Sequence, residues 1–422
     1  LEEGRRRLSG IADLFLLHDR EIVARCDDSV VRPAADGARI VLRRARGMAP
    51  LPLELPVPSP TPLLAVGPHL KNTFTLVHGH RAYPSPHVGD LEGLETLDHF
   101  RGTLERMERL YRIRPEAGAR DLHPGYLSTR EAGELGLDPL LGVQHHHAHV
   151  AAVAAEHGLE EAVAGLAFDG TGWGEDGRVW GGEALVADLR GYSRVARLRY
   201  APLPGGELAV RTPWRSALGY LVAGGDPDGG FALAFRGVDR RELDVARRQA
   251  ERGLNAPEAS SMGRLFDAAA AVLGVRRRMA YEGQAPMELE ALAGERPAAS
   301  LPFPVEERDG TLVMDPLPLL RALDERVRAG VDPADLAAAF HEGVAGTAVR
   351  VARSAADAAG TRRVALGGGC FQNARLTATV RRGLEAHGLE PLLPRALGPG
   401  DGAVSYGQAA VAAALLHDRT EA

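Results

Sequence analysis

Four histidines lie within five positions of the chain, in the segment QHHHAH that begins at Gln144. His145 and His149 are four residues apart, so on a helix they share one face, with their β-carbons about 5–6 Å apart. That spacing allows two imidazoles to hold one divalent metal ion. His146 and His147 point elsewhere on such a helix and stay unassigned. The alternative is a run of capping or surface histidines, which explains this density poorly because histidine is a mediocre helix former.

Two aspartates are candidates for the remaining metal ligands. Asp169 follows a strand in AFDGTGWGED, and Asp401 opens the last helix in GPGDGAVSYGQ. A neighbouring glycine lets backbone and ligand approach each aspartate closely. Taken alone, either aspartate could instead cap its own turn. With the histidine pair they complete a mixed nitrogen and oxygen ligand set, so the sequence predicts a metal site of His145, His149, Asp169 and Asp401.

Three glycine-rich turns are candidates for binding a nucleotide. ALGGGCFQN lies between a strand and a helix, where successive glycines let the backbone approach a base or a phosphate. VGPHLKNTF and DGTGWGEDG join the first two strands of two similar units, as in proteins that grip ATP phosphates between facing hairpin turns. Most glycine turns only reverse the chain. The predicted nucleotide-binding residues are Lys71, Asn72, Gly170, Gly172, Gly367, Gly368, Gly369 and Asn373.

Other polar residues are weaker candidates. Lys71 is the only lysine among 50 basic residues, so it either survives by chance or serves where a compact ammonium group is needed. Arg215, next to Trp214, could hold a phosphate or lie in a surface loop. SSMGRLFDAAAAVLG has the periodicity of a core helix. Four residues of YEGQAPMELE could face a cleft: Glu282, Gln284, Glu288 and Glu290.

The elements around these residues repeat. Three strands separated by glycine turns and followed by helices occur twice, which predicts an α/β fold of two related lobes with a cleft between them. We assign residues 63–160 to lobe I and residues 161–422 to lobe II, which carries helical insertions. Residues 49–62 contain six prolines and are predicted to be a stiff linker. Residues 1–48 are too few for a core of their own and are predicted to be the end of another domain.

Composition narrows the class of protein. The chain has 422 residues and a net charge of −6, with no basic stripe to favour nucleic acid binding. No apolar run approaches the ~18 residues that a membrane span requires. Two cysteines, Cys26 and Cys370, form no disulfide framework, which favours the cytoplasm. Because the first residue is Leu1, we expect a fragment of a longer protein.

Several motifs together resemble the HypF carbamoyltransferases of [NiFe]-hydrogenase maturation. They occur in the family's order over nearly the whole chain: LKNTF, DLHPGYLSTR, VQHHHAH, FDGTGWGEDGRVWGGE, SSMGRLFDA, YEGQAPMELE, GGGCFQN and GDGAVSYGQ. From Leu63 onward the chain is similar to the duplicated ASKHA domain (the actin, Hsp70 and sugar-kinase type), which is shared with TsaD and with antibiotic O-carbamoyltransferases. Residues 1–48 resemble the end of the preceding YrdC-like domain. The resemblance implies a two-lobed fold with a central nucleotide cleft.

The resemblance also implies a reaction. The YrdC-like domain makes carbamoyl-adenylate from carbamoyl phosphate and ATP, which Mg²⁺ accompanies, and the ASKHA domain passes the carbamoyl group to the C-terminal cysteine of HypE for cyanide ligand synthesis. His145, His149 and Asp169 would be catalytic and, with Asp401, would hold iron or zinc. Asn373 would hold the adenosine. The nucleophile belongs to the partner, so Cys370 needs no such role.

The chain departs from the family pattern, and other functions stay open. It lacks the family's acylphosphatase domain, its paired-cysteine zinc motifs and most of the YrdC-like domain, so we expect it not to make carbamoyl-adenylate itself. Antibiotic O-carbamoylation and tRNA modification are alternatives on the same fold. A sugar-kinase-like phosphotransferase would need a carboxylate base but no histidine pair. A non-catalytic nucleotide-binding fragment is the remaining alternative.

Overall fold

The computed structural model describes residues 1–33 and 39–421. The N-terminal segment contains one short helix and a two-stranded antiparallel hairpin: α1 (Glu2–Leu8), β1 (Val30–Pro33) and β2 (Arg39–Arg43). Most of its large apolar side chains are exposed, including those of Leu14, Leu16 and Ile22. This segment therefore has almost no core, as its length predicted.

Lobe I is built on a four-stranded sheet with the order β4-β3-β5-β6. Strands β3 and β4 are antiparallel, whereas β5 and β6 continue the sheet in parallel. The periodicity of the sequence predicted its longest helix and the helix of histidines. Its elements are β3 (Leu53–Ala65), β4 (Thr75–Pro84), α2 (Leu94–Tyr111), β5 (Ala117–Asp121), α3 (Leu127–Glu134), β6 (Leu140–Val143) and α4 (His145–Glu156).

Lobe II is built on a larger sheet whose main path is β12-β13-β9-β8-β7-β14-β15, with β11 and β10 attached beside β8. Its strands are β7 (Val163–Trp173), β8 (Val179–Ala187), β9 (Tyr192–Leu198), β10 (Ala201–Pro202), β11 (Glu258–Ser261), β12 (Val305–Arg308), β13 (Thr311–Met314), β14 (Arg363–Gly367) and β15 (Glu390–Leu392). Its helices, with the C-terminal one, are α5 (Glu207–Arg211), α6 (Pro213–Ala223), α7 (Arg240–Arg252), α8 (Met262–Val272), α9 (Gln284–Ala293), α10 (Leu317–Arg328), α11 (Pro333–Ala359), α12 (Ala374–Ala386) and α13 (Val404–Glu421).

The predicted three-strand meander is confirmed in lobe II, where β7, β8 and β9 pair in succession. In lobe I the prediction of a third strand is wrong. After β4 the chain makes only one isolated bridge, between Asn72 and Gly89. Strand β4 ends at Pro84 and Pro86 follows it, and both lack the N–H group that a further strand would need.

The proline-rich segment differs most from its prediction. Residues 49–62 were predicted to be a linker, but most of them form β3. Pro56, Pro58, Pro60 and Pro62 alternate, so the positions that lack an N–H all lie on the same side of the strand. Leu55 and Val57, on either side of Pro56, are buried in the core of lobe I. The missing donors therefore cost the sheet little, because β5 pairs only with residues 63–65 of β3.

The C-terminal helix belongs to the core of lobe I rather than to lobe II. Apolar residues of α13 pack with those of β3 and α4 in one cluster. The Tyr406 hydroxyl donates a hydrogen bond to the backbone oxygen of Glu54 at 2.7 Å. A β-carbon at Gly407 would lie 1.9 Å from the backbone oxygen of Ala148, so α13 and α4 approach as only glycine permits.

Within the described part of the chain, no helix is both long and apolar enough to cross a membrane.

Candidate metal centre between the lobes

Four predicted ligands converge where the lobes meet. His145 and His149 lie on the first turns of α4, Asp169 lies within β7, and Asp401 lies in a short 3-10 turn that precedes α13. One ligand atom from each residue lies within 4.8 Å of the others. We call this group the quartet. Residues 4 to 256 positions apart in sequence thus reach one point because β7 and the start of α13 both pack against α4.

The quartet points its donor atoms inward. The Nε2 of His145 lies 3.5 Å from Asp169 Oδ2 and 3.8 Å from Asp401 Oδ1. The Nε2 of His149 lies 3.8 and 3.7 Å from the same two oxygens. Both nitrogens are buried and have no hydrogen-bond partner among the described residues. Buried polar atoms are normally paired, so four donor atoms around one point fit a cation that binds them all.

Asp121 is a residue that the sequence reasoning missed. It ends β5, is fully buried, and its Oδ2 lies 2.8 Å from the Nδ1 of His145. A carboxylate on Nδ1 keeps the proton on that nitrogen and leaves Nε2 free to bind a metal, as is usual for metal-bound histidines. The only signal in the sequence is an aspartate at the end of a short strand, before LHPGY.

The histidines and aspartates of the quartet shift one another's pKa values. Burial alone would lower the pKa of His145, but Asp121, Asp169 and Asp401 outweigh it and raise that pKa well above its ordinary value. Burial would raise the pKa of Asp401, but His145 and His149 lower it to about 2. Protons on the histidines balance the negative charge of the carboxylates, a role that a bound divalent cation could also fill.

The middle histidines have separate roles. His147 Nε2 lies 2.6 Å from the backbone oxygen of Asp188, and the backbone N–H of His147 donates to the capping side chain of Gln144. His146 is fully buried beside Trp180, and burial lowers its pKa well below the ordinary value. Its Nδ1 lies 3.1 Å from Gln144 Nε2, so a neutral ring accepts that hydrogen bond. Both residues therefore position α4, and neither belongs to the quartet.

The glycine turn after β14 supports the quartet directly. The backbone N–H of Gly369 donates to Asp169 Oδ1 at 2.8 Å. Gly368 has a φ of +96°, and a β-carbon there would lie 2.3 Å from the backbone oxygen of Phe168. At Gly367 a β-carbon would lie 3.0 Å from the backbone oxygen of His149. The turn thus packs tightly between β7 and α4.

Two predicted nucleotide contacts are already engaged within the protein. The Asn373 side chain caps α12 by accepting from the N–H of Leu376, and its Nδ2 lies 2.9 Å from His341 Nε2. The Asn72 amide donates to the backbone oxygens of Val66 and Pro68. Because these side chains hold turns in place, the predicted contact of Asn373 with adenosine would break bonds that the fold uses.

The start of α12 is also occupied. Glu290 Oε1 accepts from the N–H groups of Ala374 and Arg375 at 2.8 and 3.4 Å. Arg32, from the N-terminal hairpin, binds the same carboxylate at 2.8 and 2.9 Å. A helix N-terminus favours an anion, and here a carboxylate of the chain itself takes that position.

Lys71 spans the two lobes. Its Nζ lies 2.9 Å from both carboxylate oxygens of Glu282, which is 211 residues away in sequence. Burial would lower the pKa of Lys71, but Asp401, Glu282 and Asp169 raise it. The ammonium group therefore lies within the electrostatic field of the quartet. We call the space between Lys71, Glu282 and the quartet the interlobe cleft. Lys71 and Glu282 were separate candidates in the sequence, and their contact was not predicted.

The remaining polar candidates lie elsewhere. Arg215 pairs with Glu242 at 3.0 Å and donates to the backbone oxygen of Pro204, so it serves the packing of α6. Glu288 pairs with Arg276 and accepts from Gln284 on the outside of α9. None of these contacts involves the quartet.

Two family models identify the class of domain to which the lobes belong. Residues 58–156 match a model described as the HypF Kae1-like domain. Residues 165–408 match the second subdomain of the carbamoyltransferase Kae1-like domain. These matches confirm the predicted ASKHA-type α/β fold, and their limits fall close to the boundary between the two lobes.

Individual relatives then define the family. The chain is 42% identical to carbamoyltransferase HypF2 of Cupriavidus necator, over 97% of this chain and 54% of that protein. It is 43% identical to carbamoyltransferase HypF of Rhizobium leguminosarum bv. viciae, over 98% and 53%. A crystal structure of full-length HypF in a phosphate- and nucleotide-bound form superimposes with a TM-score of 0.93 at 42% identity, over 98% of this chain and 65% of that one. The chain belongs to the HypF carbamoyltransferase family, and it spans about half the length of the relatives it matches.

Proposed function

We propose that this chain performs the transfer step of HypF chemistry. It would take carbamoyl-adenylate, which the family makes from carbamoyl phosphate and ATP, and pass the carbamoyl group to the C-terminal cysteine of HypE. The observation that carries this proposal is the quartet, because its histidine Nε2 atoms are buried and form no hydrogen bond with the described residues. The chain that holds this group belongs to the HypF family. The histidine pair also disfavours a sugar-kinase-like phosphotransferase, which would not need it.

The quartet fits a divalent metal with mixed ligands, and we assign it iron or zinc. Such an ion, when bound, supplies Lewis-acid polarisation of a carbonyl group. His145, held by Asp121, would present Nε2 at a fixed orientation, and His149 would do so one helical turn later. Asp169, held by the N–H of Gly369, would present Oδ2. Asp401 would close the ligand set from the other side.

We propose that the adenylate lies in the interlobe cleft beside the quartet. Gly170 and Gly172 of β7 and the turn at Gly367, Gly368 and Gly369 would approach it through their backbones, and Lys71 would face its phosphate. Mg²⁺ would accompany ATP where ATP itself is bound. A related full-length HypF structure is in a phosphate- and nucleotide-bound form, which supports nucleotide binding in the family. Asn72 and Asn373 would shape these turns rather than contact the ligand.

The nucleophile in this proposal is the partner's thiolate. Burial raises the pKa of Cys370 well above its ordinary value, and the charge of Asp169 raises it further, so this thiol stays protonated. Cys26, the other cysteine, is exposed and unpaired. Two free thiols agree with the reducing cytoplasm that we assign to the protein.

The test is to supply the metal-loaded chain with synthetic carbamoyl-adenylate and HypE, and to weigh the HypE C-terminal peptide by mass spectrometry. We expect one carbamoyl group on the terminal cysteine. A matched reaction without carbamoyl-adenylate should give none. Transfer to a hydroxyl-bearing small molecule, without transfer to HypE, would instead support an O-carbamoyltransferase.

A further inference from the structure

A second group of buried polar atoms lies outside the quartet, and its members form an ion pair but no well-aligned hydrogen bond. The Nε of Arg264 and both carboxylate oxygens of Asp267 are buried and form no hydrogen bond with the described residues. Arg264 is 5% exposed and Asp267 is fully buried. The periodicity of this segment had predicted an apolar core helix. Buried polar atoms without partners call for an explanation, and a missing ligand is one of the common ones.

The pair has a defined geometry on α8. Arg264 Nε lies 2.7 Å from Asp267 Oδ2, one helical turn away, as an ion pair whose atoms are not aligned for a hydrogen bond. The two terminal Nη groups of Arg264 bond to none of the described residues, and they are not among the fully buried unpaired atoms. Asp267 therefore holds the guanidinium group from its Nε side, which leaves the two-pronged end free.

The first turn of α8 lies directly against a proposed metal ligand. The Ser261 hydroxyl caps α8, accepting from the N–H of Arg264 at 3.1 Å, and donates to the backbone oxygen of Gly170. A β-carbon at Gly263 would lie 2.9 Å from the α-carbon of Gly170. Gly170 follows Asp169 in β7. Arg264 is therefore one turn of helix away from the segment that supplies Asp169.

The free end of Arg264 lies close to the turn that follows β14. The thiol of Cys370, in the turn after β14, lies within the electrostatic field of Asp169, Arg264 and Asp267 together. The free fork of an arginine matches two oxygens of a phosphate better than any other side chain does. Asp267 engages the guanidinium group from its Nε side only, so a second anionic partner can still bind the fork.

We propose that Arg264 binds the phosphoryl group of the nucleotide in the interlobe cleft, and that Asp267 positions its guanidinium group. This inference rests on the proposed function, because it presupposes a nucleotide beside the quartet. Arg264 would be a second cation at the ligand, contributed by lobe II, with Lys71 contributed by lobe I. Arg264 would contact the ligand directly, whereas Asp267 would act through Arg264.

Calorimetric titration with AMP tests the inference. Arg264→Gln should weaken AMP binding by about 10- to 100-fold, the usual loss for a hydrogen-bonded charged partner. Arg264→Lys keeps the charge but loses the fork, and should also weaken binding. The control is Arg215→Gln, which removes an arginine that is 4% exposed but paired with Glu242 away from the quartet. Metal content and melting temperature report the integrity of each variant.

A double-mutant cycle separates the two roles. Asp267→Asn should weaken AMP binding in the wild-type background and have no further effect in the Arg264→Gln background, because it acts through Arg264. If Arg264→Gln does not fold, Arg264→Lys decides in its place. Equal AMP affinity in wild type and in the folded Arg264 variant would overturn this inference alone. A wild-type chain that binds no AMP would overturn the proposed nucleotide cleft and this inference with it.

Discussion

At the scale of single residues, the spacing of His145 and His149 predicted more than any other feature. Two residues four apart on a helix must share a face, whatever the rest of the fold does. Asp169 and Asp401 were weaker predictions, since each could have capped a turn, yet both reach the same point. Asp121 could not be predicted, because its contact with His145 depends on how β5 and α4 pack.

Asp121→Asn should weaken metal binding by about 10- to 100-fold, the usual effect of removing a carboxylate behind a metal-bound histidine. The amide can accept a hydrogen bond from His145 Nδ1 but lacks the charge that makes the ring a strong ligand. Competition with a fluorescent chelator measures the affinity. Asp188→Asn is the control, since Asp188 contacts His147 only through its backbone oxygen. Equal affinities in the two variants would contradict the role of Asp121.

At the scale of elements, helices were predicted better than the strands of lobe I. The prolines of β3 suggested a linker because proline usually excludes a residue from a sheet. Their alternation, which keeps every missing donor on one side, was the signal that would have predicted a strand. The glycine turn after β14 was predicted to bind a nucleotide, but the sequence could not show that Gly369 also holds Asp169.

Gly172→Ala should disrupt the quartet while every ligand is still present. A β-carbon at this position would lie 2.5 Å from His146 Cε1 and 3.0 Å from His145 Cδ2, so the start of α4 must shift. We expect most of the bound metal to be lost, measured by elemental analysis. Gly170→Ala, two residues earlier in β7, has open space at its β-carbon and should keep its metal. Full metal content in Gly172→Ala would show that α4 tolerates the change.

Arg32→Met should loosen the N-terminal hairpin from α12. The variant leaves the nearly buried Glu290 carboxylate with only backbone partners, at a cost of about 1–2 kcal/mol after allowance for the part-exposed arginine. Urea denaturation measures the free energy of unfolding. Arg46→Met removes the exposed pair with Asp28 and should leave the free energy of unfolding almost unchanged. Equal losses in both variants would contradict a specific anchor at Glu290.

At the scale of the whole molecule, two lobes joined at α4 could be predicted, but their limits could not. The C-terminal helix α13 returns to the core of lobe I, as the contact of Tyr406 with Glu54 illustrates. Sequence order alone assigns α13 to lobe II, which it follows. The fold instead packs α13 against β3 and α4 of lobe I. The position of Asp401 next to α4 follows from that return.

Lys71→Arg should weaken nucleotide binding several-fold, because a planar fork cannot replace a compact ammonium group held between Glu282 and the quartet. Calorimetry with AMP measures the change. Arg178→Lys, in an exposed pair with Glu258, is the control and should bind AMP as the wild type does. Unchanged affinity in Lys71→Arg would mean that the only lysine of the chain survives by chance.

The central claim is that His145, His149, Asp169 and Asp401 hold one divalent metal between the lobes. The most direct measurement is the metal content of the purified chain after reconstitution with iron or zinc, by mass spectrometry of the elements. We predict close to one equivalent in the wild type, and loss of most of it in folded His145→Ala and His149→Ala variants, with His78→Ala on the exposed side of β4 unchanged. Less than a tenth of an equivalent in the wild type, or full content in either quartet variant, would contradict the claim.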